Sequence, residues 1–460
     1  MAAPGKYQID MCHGPLFSKI VRFSIPLILT NVLGLLFYAA DLIVLGRFGA
    51  PEAMAAVGAT NGLTVLILNI FYGLGAGVNV LAARYIGAKD DRKLSQVIHS
   101  SMAVALYGGI AMAVISIIFT KPMLRIMSTP AEVFNDAVLY MWICCLGIPA
   151  VVFYTFGASI MRASGDTKRP LIYITIAGII NIFLNLFFVI VCKMDVLGVG
   201  IATKISNVIA AVLVMRALMR MEDATRFAWK KMKINIPALK EIARIGLPAG
   251  INGSFFSIAN ISIQSSINSL GWIVIAGNTA ASNLEGIVYV ACSSFYHTAI
   301  SFTGQNHGGR KYKRIVRSIY ICGACTAAVA FVLGWICIFF GKELLGIYNP
   351  DPEIIKWGMV RIKVLMSTYF MCGIMDVITG SLRGLGHSLK PTIVTLMGIC
   401  AFRIFWVLVI FPLNKSMLNL MISYPVTWVL VSSINGTILF FVCRNMLRKV
   451  NMRNRRELIQ

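Results

Sequence analysis

Arg162-Ala-Ser-Gly-Asp-Thr-Lys-Arg-Pro170 and Arg383-Gly-Leu-Gly-His-Ser-Leu-Lys-Pro391 are one frame written twice, 221 positions apart. Each copy closes a long apolar segment, turns on glycine, carries positive charge and reopens an apolar segment at proline. Glycine permits a tight turn, proline suits the first turn of a helix, and basic side chains stay in water beside a membrane. Other pairs keep the register. Arg22-Phe-Ser-Ile-Pro26 returns as Arg244-Ile-Gly-Leu-Pro248, Lys121 as Lys342, and Pro130 as Pro352, at offsets of 221 or 222. The chain reads as two parallel copies of a unit of about 220 residues.

Composition fixes the class. The apolar share is 58% and the charged share only 13%, about half that of a soluble domain, and the mean hydropathy is +0.79. The apolar residues come in runs that reach the roughly 20 residues a helix needs to cross a bilayer. The expectation is an all-α polytopic membrane protein with twelve transmembrane helices. They fall near 19–46, 54–83, 95–119, 133–161, 170–192, 198–220, 238–268, 273–303, 315–340, 354–382, 391–412 and 419–443. No cleavable leader is expected, since Met1 to Lys19 lacks an apolar core. The predicted organisation is an amino-terminal lobe at 1–220, a cytoplasmic linker at 221–237, a carboxyl-terminal lobe at 238–446 and a basic tail at 447–460. The linker is basic and amphipathic and is expected along the inner leaflet.

A net charge of +24 would point to nucleic acid in a soluble protein. Here it does not. With the amino terminus inside, 31 of the 42 Lys and Arg fall in inner segments and seven in or near outer ones. This bias places both termini in the cytoplasm. The cysteines lie almost all in apolar segments, and Cys322-Gly-Ala-Cys325 reads as packing rather than as a redox pair. The sequence has no P-loop, HExxH or GxSxG, so an enzyme is not expected.

Ionisable groups inside a membrane are costly and stand as functional candidates. Asp41 lies in the first helix on a stripe with Asn31, Gly34 and Tyr38. Glu285 lies in the eighth with Asn278, Ser282 and Tyr289, and has no basic residue within two turns on its own helix. Asp376 lies in the tenth, two turns from Arg383, which it either pairs with or does not. Asn181 and Asn185 share one face of the fifth helix, and Thr203 and Asn207 one face of the sixth. Asp41, Glu285, Asp376, Asn181, Asn185 and Thr203 are the candidates for coupling to a cation, with Na+ at Glu285 and Asp376. Asn31, Tyr38, Tyr72, Asn260, Gln264, Ser282 and Tyr289 are the candidates for a substrate cavity. Lys204, Arg361, Lys363 and Arg403 are basic residues within spans. Arg361 and Lys363 are expected to snorkel outward, and Arg403 to need a partner.

Taken together, the two prolines, the Tyr38-Ala-Ala-Asp41-Leu-Ile-Val-Leu-Gly46 stretch, Gly304-Gln-Asn-His-Gly-Gly309 and the paired turns resemble the multidrug and toxic compound extrusion (MATE) family of bacteria. The resemblance covers nearly the whole chain. It implies two pseudo-symmetric six-helix lobes around a central cavity, alternating access, and export of organic cations in exchange for Na+ or H+. It implies a multi-pass protein of the bacterial inner (plasma) membrane that works as a monomer without a cofactor, its partners being the bilayer and a small organic cation. Asp41 matches the family's first-helix acid and Asn181 its fifth-helix Asn. Asn185 stands where some members carry Asp, and Phe256 where some carry Glu, so Glu285 and Asp376 become the candidate acidic pair of the second lobe. A lipid-linked oligosaccharide flippase of the same superfamily and a substrate-gated channel are the competing readings. The flippase would use the four basic span residues as a cationic cavity.

Overall fold

The computed structural model describes residues 7–48, 51–127, 129, 131–221 and 224–459. Pro130, the acidic pair at 222–223, the first six residues and the tail side chains beyond 448 lie outside the described residues. In chain order the helices are α1 (Leu16–Phe48), α2 (Pro51–Ala88), α3 (Asp91–Ile126), α4 (Ala131–Leu146), α5 (Ile148–Ala163), α6 (Lys168–Leu186), α7 (Asp195–Met219), α8 (Ile236–Asn268), α9 (Trp272–Gly308), α10 (Tyr312–Phe339), α11 (Gly341–Gly346), α12 (Pro352–Gly384), α13 (Leu389–Thr395), α14 (Phe402–Phe405) and α15 (Met417–Ile459). No strand occurs among the described residues.

Among the described residues, nine helical segments are long and apolar enough to cross a membrane. The α4–α5 pair, bent by 43° at Gly147, makes a tenth. The two others are α8 and α9, with 33 and 37 residues. They are long enough but carry the polar stripes that the sequence places there. With Leu389–Leu413 counted as one span, these are the twelve crossings that the apolar runs predict.

The duplicated frame reappears as duplicated backbone geometry. Gly165 and Gly386 both take φ +89°. In the first turn Asp166 N–H bonds back to Met161 C=O at 2.9 Å, and in the second His387 N–H bonds back to Leu382 C=O at 2.9 Å. These are the six-to-one closures that end a helix on a left-handed residue. Lys89 and Arg310 are a second pair 221 positions apart, with φ of 56° and 55°. Each ends a long helix and passes its neighbour's N–H back five residues, Asp90 to Tyr85 and Lys311 to Asn306. Turn geometry, not just turn composition, has been duplicated.

The chain forms two compact units. Unit 1 holds the described residues up to Asp10 together with Leu29–Gly250, and unit 2 holds Met11–Ile28 together with the described residues from Ile251 onward. Both cuts fall inside helices, two residues beyond Pro26 in α1 and two beyond Pro248 in α8. Proline donates no hydrogen bond, so each ladder is weakest where the helix changes unit. In unit 1 the first part of α8 lies directly on α2. A Cβ on Gly73 would come within 2.1 Å of Gly250 N, and one on Gly77 within 2.6 Å of Ile242 O. Small residues four apart on both helices allow this approach. At the matching place in unit 2, Ser24 and Thr298 share a hydrogen bond of 2.9 Å, and Phe23 meets Phe302 edge to face at 5.6 Å.

Two irregular segments are tied down. The linker is not an amphipathic helix. Its described residues hold a turn at 224–225 and the one-turn element Trp229–Lys231, flanked by extended backbone at Ala228 and Met232, and it docks on α3: His99 Nε2 accepts the Ala228 N–H at 3.2 Å, and Ser100 Oγ accepts that of Asn235 at 2.9 Å. Phe227, buried between His99 and Trp229, supplies the apolar anchor that an amphipathic helix would otherwise have provided. The segment before α1 is held by the Gly304–Gly309 motif and α10. Asn306 Nδ2 donates to Met11 C=O at 3.2 Å, and the Arg314 guanidinium donates to the carbonyls of Met11, His13 and Gly14 at 2.8–2.9 Å. All eleven cysteines are free, including Cys322 and Cys325.

Gly165→Ala is expected to destabilise the protein by at least about 1–2 kcal/mol, the cost of a left-handed residue with a Cβ, because that Cβ would also meet Ile9 O at 2.3 Å. Lys89→Gly should move stability the other way. Thermal melting in detergent, followed by thiol-reactive fluorescence at the buried cysteines, gives both signs.

Candidate functional site

In each unit candidate residues line one cavity. That of unit 1 has a volume of about 400 Å³, and its wall includes Tyr38, Asp41, Asn61, Tyr72, Tyr140, Tyr154, Asn181, Thr203 and Lys204. Asp41 is the focus. It is only 7% exposed, and its two oxygens are held by different helices. Asn185 Nδ2 of α6 donates to Oδ1 at 2.5 Å, and the Thr203 hydroxyl of α7 lies 3.2 Å from Oδ2. Asn181 joins the two, receiving a bond from Asn185 at 3.2 Å and giving one to Thr203 at 3.4 Å. The i, i+4 spacing of the asparagines puts both amides on one face. A π turn, Phe187–Val191, follows at once, an irregularity common beside functional groups. Gly178 gives Phe37 room: a Cβ there would sit 1.9 Å from the ring. All the donors to Asp41 are neutral, and Asn185 Oδ1 is buried with no hydrogen-bond partner. A carboxylate, a free amide oxygen, a second amide and a hydroxyl form an oxygen-rich set suited to a hard monovalent cation or a proton.

The cavity of unit 2 has about 350 Å³ and is built differently. Its wall includes Asn260, Gln264, Ser282, Glu285, Tyr289, Arg361, Tyr369, Arg403 and Tyr424. Arg361 of α12 grips Glu285 of α9: its Nη2 and Nε lie 2.6 and 2.9 Å from one carboxylate oxygen. Its Nη1 donates to Asn278 at 2.6 Å, and the bonds continue through Gln264 to Asn268. The other Glu285 oxygen meets the Tyr369 hydroxyl at 3.4 Å. Arg403 stacks on the Tyr424 ring at 4.0 Å.

The two cavities use matched positions of the duplicated frame. At an offset of 221, Thr64 corresponds to Glu285, Tyr140 to Arg361 and Thr203 to Tyr424. At 222, Tyr38 corresponds to Asn260 and Asp41 to Ile263. The duplicated architecture is kept while the charges on it have been rearranged.

The model of the family described as MatE matches this chain twice, over residues 26–187 and 248–409. The chain belongs to the MatE family. Each match begins at the proline of one repeat, and the two matches keep the 222-residue offset of those prolines. A relative from Bacillus subtilis (strain 168), "Probable multidrug resistance protein YoeA", is 24% identical over 411 residues, covering 88% of this chain and 89% of that protein. "Multidrug export protein MepA" of Staphylococcus aureus (strain MSSA476) is 24% identical over 394 residues, 83% and 85% of the two chains. "FAD transporter" of Shewanella oneidensis is 24% identical over 398 residues, 84% and 86%. A solved structure described as the outward-facing conformation of a multidrug resistance MATE family transporter matches in fold with a TM-score of 0.90 at 20% identity, covering 97% of this chain and 100% of that one. The names of these relatives speak of drug resistance, export and transport, and the twelve-helix, two-lobe arrangement is that of the MATE structures.

Within this MatE chain, Asp41, Asn181, Asn185 and Thr203 meet in one hydrogen-bonded cluster. Tyr38 and Tyr72 line its cavity, and Asn260, Gln264, Ser282 and Tyr289 line that of unit 2. Asn31 lies on neither wall. The structure does not put Glu285 and Asp376 on one cavity wall. Asp376 is absent from the wall on which Glu285 sits and lies seven residues, about 10 Å of helix, beyond Tyr369. Glu285 already has a cation in Arg361. Asp376 does not pair with Arg383 either, because that guanidinium is given to the Tyr296 hydroxyl at 2.5 Å. Arg361 does not snorkel; it is 8% exposed and points into unit 2. A search confined to neighbours on one helix misses the Glu285–Arg361 pair. The signal for it was the need of each charge for an opposite one at membrane depth.

Breaking one side of that buried pair leaves the other charge uncompensated. Arg361→Gln is expected to cost about 3–5 kcal/mol, and the double replacement Arg361→Met with Glu285→Leu to recover most of it. Melting temperatures of the purified single and double variants decide this.

Proposed function

We propose that this MatE protein is a secondary exporter that moves small organic cations out of the cell in exchange for Na+ or H+, by alternating access, in the inner membrane of a bacterium. The observation that carries this reading is the Asp41 cluster on the wall of a cavity rich in tyrosine. Asp41 offers a drug one negative charge, and the rings of Tyr38, Tyr72 and Tyr154 offer it π faces. An incoming ion takes the carboxylate and the free Asn185 oxygen and neutralises the same charge, so ion and drug compete for one group. Coupling then comes from the different affinity of each lobe arrangement for the two. A membrane potential supplies about 2.3 kcal/mol per charge per 100 mV. A one-for-one exchange of monovalent cations gains nothing from that potential and draws on the ion gradient alone.

The names of two relatives, a multidrug resistance protein (YoeA) and a multidrug export protein (MepA), support drug export. The flippase and channel readings gain nothing from the comparisons. The Arg361–Glu285 ion pair supports a structural part for Glu285 and favours Asp41 as the coupling group. No resident cofactor enters this scheme, and a single chain holds every group it uses.

In proteoliposomes, an imposed Na+ or pH gradient should drive ethidium export, and Asp41→Asn should reduce the gradient-driven rate by about 100-fold, within the range of losing an essential proton- or charge-handling group. Glu285→Gln, where it folds, should keep gradient dependence. Export by wild type that ignores both gradients would sink the antiport reading. A separate check concerns topology. Protease should remove tags at either terminus in inverted vesicles and leave both intact in whole cells.

A further inference from the structure

The duplication gives one surface position two different answers. In unit 1 the Lys121 ammonium, near the end of α3, lies over the ring of Trp142 on α4, 5.6 Å from its centroid. The charge is met by a π face, and tryptophan is a residue type that settles at headgroup depth. At an offset of 221 the same two positions hold Lys342 and Lys363, so the ring has become a second ammonium. In the same register Asn135 has become Lys356. A site that pairs a cation with an aromatic in unit 1 collects three like charges in unit 2.

The three lysines line one groove of about 520 Å³ between α11 and α12, and no carboxylate shares its wall. All three are exposed. Lys356 is engaged by Glu353 at 3.2 Å. Lys342 and Lys363 make no ion pair among the described residues. The Asp351 carboxylate is taken up in capping α12, accepting the Glu353 N–H at 2.9 Å. The floor is apolar: Ile355, Met359 and Val360 interleave with Lys356 and Lys363 along one face of α12. Phe339, Phe340 and Ile347, which flank α11 in the chain, are 73%, 59% and 80% exposed, as side chains that face lipid can be. Depth agrees. The 33 residues of α12 make about 50 Å of helix against a hydrocarbon core of about 30 Å. Centred, the helix projects about 10 Å at each end. Lys363, about 16 Å along from Pro352, then lies about 6 Å below the boundary, within the reach of a lysine stem that rises to the headgroups.

We propose that this groove binds an anionic phospholipid of the surrounding leaflet, with Lys342 and Lys363 on the phosphodiester and an acyl chain along the Ile355, Met359 and Val360 stripe. The unpaired ammonium groups select an anion, and the apolar floor between them selects one that carries a hydrocarbon chain. A soluble phosphate ester would meet the lysines and leave the floor uncovered. The groove shares no residue with the walls of the two cavities. It does not depend on the exchange reaction, because the test below measures binding without a gradient.

Native mass spectrometry of the full-length protein, released from a non-ionic detergent, reads the first lipid retained from equal amounts of dioleoyl phosphatidylglycerol and dioleoyl phosphatidylcholine. Phosphatidylglycerol should be favoured about thirtyfold, since each of two lysines near an anionic headgroup contributes about fivefold. Lys363→Trp, which installs the pair that unit 1 already carries, should lower the preference to about fivefold. Lys342→Gln together with Lys363→Gln should abolish it. Lys415→Gln removes an equal charge from the loop before α15, away from the groove wall, and should leave the preference unchanged. The substituted lysines are exposed, and a melting curve confirms that each variant is folded. Glycerol 3-phosphate and inorganic phosphate in large excess should leave the lipid in place. Displacement of the lipid by either one would overturn the proposal in favour of a site for soluble phosphate. Equal retention of the two lipids by wild type, a preference that survives both groove variants, or one that Lys415→Gln lowers as far as Lys363→Trp would overturn it as well.

Discussion

A charge inside a bilayer has to be answered within a few ångströms, and how it is answered decides what it can do. Asp41 is answered by dipoles: two amides and a hydroxyl surround it and none carries charge. None of its hydrogen bonds neutralises it, and the nearest cation on its wall, Lys204, makes no ion pair with it. Glu285 is answered by a guanidinium that gives two N–H bonds to one of its oxygens, and its charge is spent on holding α9 to α12. Arg403 is answered only by oxygens and a ring face. Three ionisable groups on one duplicated scaffold thus stand in three conditions: held by neutral donors, paired with an opposite charge, and hydrogen-bonded to neutral oxygens beneath a ring. The helices carry them to comparable places; the neighbours set their roles.

Much of this was legible in the sequence, for definable reasons. The duplication was, because turns need particular residues. Gly165 and Gly386 share φ +89° since little but glycine tolerates it. The Asp41 cluster was legible in part. An i, i+4 pair of asparagines on an apolar helix has few places to face, and the structure brings both to the acid. What lay hidden was anything depending on which helix packs beside which. The spacing between Glu285 and Arg361, 76 residues, carries no periodic signal, so neither the ion pair nor the loss of Asp376 from that wall was readable. The unit boundary was hidden for the same reason. Pro26 and Pro248 announce a break in a ladder, but not that the two parts of each helix belong to different packed bodies.

Lys89 and Arg310 show the same limit from the other side. Neither residue type favours a left-handed backbone, yet both adopt it at equivalent positions. The closures that follow them fix the geometry through hydrogen bonds, and the charged side chains lie outside the apolar helices. Local preference was overridden twice, in the same way, by a requirement of the helix end.

The assignment of residues 11–28 to unit 2 has a consequence for how the chain is made. Ser24 waits for a hydrogen-bond partner that lies 274 residues downstream. At roughly 5–20 residues per second of synthesis, the opening stretch of α1 spends on the order of 14–55 s in the membrane before Thr298 exists. The remainder of the same helix can settle as soon as unit 1 is finished at Gly250. One helix therefore matures in two instalments, and Pro26 marks the point between them. During that interval lipid or an insertion chaperone has to shelter the early part, which makes the order of synthesis, and not only the final packing, a condition that this amino-acid sequence satisfies.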